Sequence, residues 1–326
     1  MKLCSNKRKV NEMDKIATRQ AYGEALAEFG AVNDKIIVLD ADLSKSTKTD
    51  TFKKKFPERF INCGIAEGNM MAVAAGMAST GKIVFASSFA MFAAGRAFEQ
   101  IRNCAGYGHL NLKIGASHAG ISVGEDGATH QCNEDLALMR TIPGMTVICP
   151  SDAIETRLAV KAAIEIDGPV YLRVGRLPVL VINDVPGYKF EVGKGTTLHE
   201  GKDVSIIATG LMVGEALKAS EILKEQGISA RVINIHTIKP IDVDIIRDAA
   251  IETGVIVTAE EHTIIGGLGS AVAETVCELG LPVPVIRVGV NDTFGKSGKA
   301  EELLHVFGLD ADNIVKNCLK AIKMKK

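Results

Sequence analysis

Residues 111–131 read NLKIGASHAGISVGEDGATHQ. The first seven form a short apolar run of the kind that makes a strand. The rest hold glycines at 120, 124 and 127, acids at 125 and 126, and histidines at 118 and 130. A glycine-rich polar loop directly after a strand is where open α/β sheets hold ligands, outside the carboxyl ends of their strands. So many polar groups are hard to place in a core. The plainer alternative is a surface loop on which His118 and His130 are incidental.

The same theme recurs on both sides of this stretch. Short runs of β-branched and apolar residues stand at KIIVLD (35–40), KIVFAS (82–87), MTVICP (145–150) and PVYLRV (169–174). Segments of helical periodicity lie between them: Arg19–Phe29, Ala66–Ala78, Met91–Cys104, Asn133–Arg140 and Asp152–Ile166. Runs this apolar belong to strands buried on both faces, as in parallel sheets flanked by helices. A break follows, with glycine or proline at 175, 178, 186, 187, 193, 195 and 201. The alternation then resumes through DVSIIATG, ARVINIH, GVIVTAEE and PVPVIRV. The expected fold is therefore α/β, with two domains of mainly parallel sheets. Their expected bounds are a disordered leader at 1–13, domains at 14–185 and 200–326, and a linker at 186–199.

Composition narrows the function classes. A chain of 326 residues is long enough for about two domains. Its net charge of −1, with basic residues spread along it, argues against nucleic acid as the main partner. The dense run Lys53-Lys54-Lys55 reads as a solvated helix end. No apolar run approaches the roughly 18 residues of a membrane span, and the basic N-terminus lacks the apolar core of a secretory signal. Seven cysteines, none in CxxC pairs, fit free thiols in a reducing cytoplasm rather than zinc ligands.

Other motifs are individually ambiguous. Gly266-Gly267-Leu268-Gly269 is not a GxGxxG pattern and more simply makes a tight strand–helix turn. Phe89, Phe92 and Phe98 lie at helical spacing, which suits either a buried helix face or a stacking surface for a flat heterocycle. Arg19, Ser46, His118 and Arg173 are scattered. If they meet they form a phosphate clamp, because Arg grips phosphate with paired N–H groups. Glu67 is a lone carboxylate heading the apolar segment NCGIAEGNMMAVAAGMAST (62–80). A glutamate in the first turn of a helix is favoured by the helix dipole, which is its plain reading.

Several segments together resemble the transketolase family. They are TRQAYGEALAEFG (18–30), LDADLSKST (39–47), CGIAEGNM (63–70), SSFAMFAAGRAFEQIR (87–102), GEDGATHQ (124–131), IPGMTVICPSD (142–152), YLRVGR (171–176) and INIHTIKP (233–240). The resemblance covers nearly the whole chain from about residue 14 onward. It is to half of a transketolase only. The family's diphosphate-binding domain, marked by GDG and a downstream Asn, has no counterpart here. The resemblance thus implies a pyrimidine-binding domain plus a transketolase C-terminal domain. It also implies a separate N-terminal subunit that supplies the diphosphate half.

The resemblance implies roles as well. The cofactor would be thiamine diphosphate, with magnesium held mainly by the partner subunit. Glu67 matches the glutamate that bonds the aminopyrimidine and, in a dry pocket, favours its imino form. Phe89 and Phe92 match positions lining that ring, and Asp42 an acid near the thiazolium. His130 matches a catalytic histidine facing donor hydroxyls, and Asp126 a residue on a sugar hydroxyl. Arg19, Ser46, His118 and Arg173 match the phosphate-holding set. The implied reaction moves a two-carbon ketol unit from a ketose phosphate to an aldose phosphate, within a heterotetramer in the cytoplasm. The alternatives are a 2-oxo-acid dehydrogenase beta subunit, a ketol transferase for an unusual sugar, and a non-catalytic subunit that keeps the fold.

Overall fold

The computed structural model describes residues 14–325, so the leader expected at 1–13 lies outside the described residues. Along the chain come β1 (Lys15–Ala17), α1 (Thr18–Gly30), β2 (Ile36–Asp40), α2 (Ser44–Thr47), α3 (Asp50–Lys55), β3 (Phe60–Asn62), α4 (Glu67–Ala78) and β4 (Ile83–Phe89). Then follow α5 (Phe98–Gln100), β5 (Leu112–Ser117), α6 (Asp135–Arg140), β6 (Thr146–Ile148), α7 (Ala153–Glu165), β7 (Val170–Arg173) and β8 (Pro178–Leu180). The second half holds β9 (Thr196–His199), β10 (Val204–Ala208), α8 (Met212–Glu225), β11 (Ala230–Asn234), β12 (Thr237–Lys239) and α9 (Val243–Thr253). It closes with β13 (Ile256–Thr263), α10 (Leu268–Glu278), β14 (Val285–Val290), α11 (Ala300–Val306) and α12 (Ala311–Ile322).

A seven-stranded sheet runs β12-β6-β7-β5-β4-β2-β3, and a five-stranded sheet runs β14-β13-β10-β11-β9. All neighbours are parallel except β12 against β6 and β9 against β11. The period of two explains the layers. In β2, Ile36 and Val38 face a core with Tyr22 and Leu26 of α1, Phe52 of α3 and Val160 of α7. Ile37 and Leu39 face the other side, with Met70 and Ala74 of α4 and with Ala97 and Ile101. That second core runs on into Ile207, Ile233 and Ile256 of the smaller sheet and into α9 and α10, so one apolar mass joins the two sheets. Each buried Val, Leu or Ile in it contributes about 1.5–3 kcal/mol. The outer face of the smaller sheet is covered by α8 and α12.

The strands expected from apolar runs are all present. Two features depart from the expected division. β9 falls inside the stretch that composition reads as a linker, and β12, from the second half, completes the edge of the first sheet. The helix expected over Met91–Cys104 is wound wide, in π-type turns at Met91–Arg96 and Ile101–Gly106 around the short α5. No helix among the described residues is long and apolar enough to cross a membrane.

Candidate active site at the carboxyl edge of the large sheet

β2, β4, β5 and β7 are parallel and adjacent, so their carboxyl ends form one edge. The loops leaving that edge carry the expected residues. Beyond β2, Asp40 is buried and accepts from the Thr47 and Thr49 hydroxyls and the Leu43 N–H. Those bonds fold residues 41–49 back over the edge. Asp42 holds a left-handed backbone, φ 64°, and trades two hydrogen bonds with Asn62. A non-glycine residue held there marks strain of the kind found at ligand sites.

His118 leaves β5, also left-handed at φ 56°. Its Nδ1 lies 2.8 Å from Ser117 Oγ and its Nε2 3.0 Å from Arg19 Nη1. Arg19, in the first turn of α1, also donates to the Ser46 carbonyl at 3.0 Å. Arg19, Ser46 and His118 therefore meet, although they are far apart in sequence. Burial, and then the charges of Arg19, Arg176, His130 and Lys48, push His118 down to about 3. Its imidazole is neutral at pH 7. Burial and the nearby Arg176 charge also lower Arg19. Among the described residues no carboxylate pairs with Arg19, and its buried Nε has no partner. A cationic pocket with an orphaned donor fits an anion such as phosphate.

Arg173 is not part of this group, which corrects the expected clamp. It sits in β7 with its side chain buried, Nε 2.9 Å from Asp135 and Nη2 donating to the Glu261 carbonyl. Its charge is used inside the protein. Arg176, three residues on and past the end of β7, is close enough for its charge to act on Arg19 and His118. It pairs with Glu125 at 3.0 Å and donates to the Val123 carbonyl. The motif YLRVGR held both arginines. They differ in place: Arg173 ends a strand that is buried throughout, and Arg176 lies in the loop beyond it.

The aromatic group lies beside the cations. Phe89, at the end of β4, stacks on His118 with centroids 3.8 Å apart and on Phe92 at 5.7 Å. Half-buried His130 meets the Phe92 ring edge-on at 5.2 Å, and Thr129 Oγ1 contacts its Nδ1. Phe98 packs against the apolar core instead. Asp126 is exposed on the loop between Gly124 and Gly127. Both glycines have φ near 80°, which lets the loop turn tightly over the edge.

Glu67 opens α4 and is 2% exposed. Both its oxygens lie 2.8 Å from Nη1 of Arg96. The Arg96 guanidinium also covers Phe92, 4.5 Å from the ring centroid. Nothing in the sequence pairs positions 67 and 96. The wide turn of Met91–Arg96 brings the arginine back over the helix start.

Two family models account for most of the chain: the transketolase pyrimidine binding domain over residues 14–179 and the transketolase C-terminal domain over 193–314. The chain belongs to the transketolase family. Among its relatives is a Methanocaldococcus jannaschii protein named for the C-terminal section of transketolase, 53% identical over 306 residues, or 94% of this chain and 96% of the relative. The 6-deoxy-6-sulfo-D-fructose transketolase subunit SqwH of Clostridium sp. (strain MSTE9) is 45% identical over 91% of this chain and 92% of its own length. Human transketolase is 43% identical over 92% of this chain, which spans 48% of it. A solved split gene transketolase, described as an inactive beta4 tetramer, has a TM-score of 0.89 and 55% identity over 95% of this chain and 100% of its own. The two matched domains are the pyrimidine-binding and C-terminal domains of that family.

Proposed function

We propose that the chain is the pyrimidine-binding subunit of a two-component transketolase that moves a two-carbon ketol unit from a ketose phosphate to an aldose phosphate. The observation that carries this reading is one edge holding both ends of a site. A buried carboxylate and an aromatic pair stand at one end, and carboxylate-free Arg19 with neutral His118 at the other. The donor set fits the heterocyclic part of thiamine diphosphate. Glu67 offers an acceptor in a dry setting, Phe92 a ring to stack on, and Phe89 a wall. Among the described residues no cluster of three or more acids, histidines or cysteines fits a metal ion. In this reading the diphosphate and magnesium belong to an N-terminal partner subunit.

When bound, thiamine diphosphate supplies the nucleophilic carbon and the electron sink for the transferred unit. The chain's residues do the rest. Glu67 shares a proton with the pyrimidine ring nitrogen and so sets the tautomer. Phe89 and Phe92 would line that ring, and Asp42 would serve its thiazolium. Arg19, the Ser46 region, His118 and Arg176 hold the sugar's phosphate and so place its carbonyl, an orientation effect. His118, being neutral, bonds without adding charge. His130 and Asp126 serve the sugar hydroxyls. The pyrimidine and C-terminal domains carry self-association into a heterotetramer.

Relatives named for 6-deoxy-6-sulfo-D-fructose and for apulose 4-phosphate favour a second reading, a specialised sugar in place of pentose phosphates. The test is reconstitution. The chain is mixed with its N-terminal partner, thiamine diphosphate and magnesium, and assayed with xylulose 5-phosphate and the two unusual sugars. Ketol transfer from any of them supports the proposal and selects the substrate. Turnover of pyruvate with an acceptor dye, without transfer from any sugar, sinks it in favour of a 2-oxo-acid dehydrogenase subunit.

A further inference from the structure

Glu67 and Phe92 share one neighbour, Arg96. Its Nη1 spans both carboxylate oxygens at 2.8 Å, and its guanidinium lies 4.5 Å from the Phe92 centroid. A guanidinium is flat and delocalised, with N–H donors in its plane, and it stacks on aromatic faces. Those are the two contacts that an aminopyrimidine makes with a carboxylate and a phenyl ring. We propose that Arg96 is an internal stand-in for the cofactor's pyrimidine, seated on Glu67 and Phe92 in the cofactor-free subunit and displaced when the ring enters. This rests on the reading of Glu67 and Phe92 given above.

Physical chemistry supplies the reason for such a group. A carboxylate as buried as Glu67 is costly without a partner. The free subunit must satisfy it with its own atoms. Arg96 suits this because its side chain is 52% exposed, so it has solvent to move into. It also sits at the end of a π-type turn, a winding that recurs at functional sites and brings Phe92 and Arg96 to the same side. The consequence is competition: each cofactor molecule bound must first break the Arg96 contacts, which weakens the apparent affinity.

The test is Arg96→Met in the chain assembled with its N-terminal partner, with the dissociation constant of thiamine diphosphate measured by calorimetry in magnesium buffer. Losing one half-exposed ion pair and one cation–π contact tightens binding by roughly five- to twentyfold. A residue that only supports the fold would weaken binding when removed, so equal or weaker binding overturns the proposal. Arg96→Lys, which keeps the charge and loses the flat face, serves if the methionine variant does not fold. It tightens binding by roughly two- to fivefold, and no gain there also overturns the proposal. A melting-temperature cycle of Glu67→Gln and Arg96→Met gives a second reading. The two positions are coupled in the cofactor-free chain and uncoupled in the loaded complex, whereas coupling that persists on loading overturns the proposal. If the wild-type complex binds no thiamine diphosphate, the underlying assignment of Glu67 and Phe92 falls, and the stand-in with it.

Discussion

The site has two ends that differ in how their charges are answered. At the Arg19 end, a guanidinium donates to an imidazole and a carbonyl, and one buried donor has no partner. At the Glu67 end, a carboxylate is fully met by an arginine of the same chain. One end is open for an anion, and the other is already filled. In the proposed reading the first end receives the sugar's phosphate and the second the cofactor's ring, where Arg96 now sits. Phe89 touches both ends, stacking on His118 and on Phe92.

The largest way to break the contrast is Glu67→Ala. Removing a group that steers a proton costs typically 10²–10⁴-fold, so kcat of the reconstituted enzyme should fall by about a thousandfold. A variant with full rate would make the Glu67 end structural only. The next effect separates two arginines of one motif. Arg173→Met leaves Asp135 buried without its cation and should cost about 3–5 kcal/mol in a denaturation experiment, as truncated buried pairs do. Arg176→Met should change stability by less than about 0.5 kcal/mol while raising KM for the sugar phosphate. If the costs are reversed, the clamp includes Arg173 after all. Arg19→Ala should raise KM by roughly thirtyfold, the worth of a charge-assisted hydrogen bond, with a smaller change in kcat.

The smallest effect is on acid stability. Folded His118 is pushed down to about 3, whereas an unfolded histidine titrates at about 6.5. Between those values only the unfolded chain takes up the proton, so stability falls as pH drops from about 6.5 toward 3. His118→Gln should flatten part of that slope, seen as a melting temperature that changes less between pH 7 and pH 5. His236, buried against Phe190 and pushed down to about 4, accounts for a further part. An unchanged slope in His118→Gln would mean that His118 is solvated and the Arg19 end looser than drawn.

The sequence was most legible where burial dictates pattern. KIIVLD, KIVFAS and PVYLRV are apolar because β2, β4 and β7 are covered on both faces, and each forms a strand within a residue or two of its run. The family motifs group Arg19, Ser46 and His118, and these three are neighbours at one edge. What failed did so for local reasons. Arg173 and Arg176 stand in the same six residues, and only the end of the strand at Arg173 separates a buried arginine from a half-exposed one. Arg96 was invisible because its partner lies 29 residues away and the intervening helix departs from the usual winding. β12 was missed because a three-residue strand has no pattern of its own and exists through its pairing with β6.

That pairing also sets an order of events at the ribosome. The edge of the large sheet beside β6 stays open until Thr237–Lys239 has been synthesised and can reach it. The carboxyl-edge loops through Arg176 are made well before then, yet the sheet that carries them is unfinished, with an unpaired edge of the kind that recruits other chains. The large sheet is therefore completed only after the first half of the chain has been made. A translation pause between residues 180 and 236 would lengthen the window in which nascent copies aggregate.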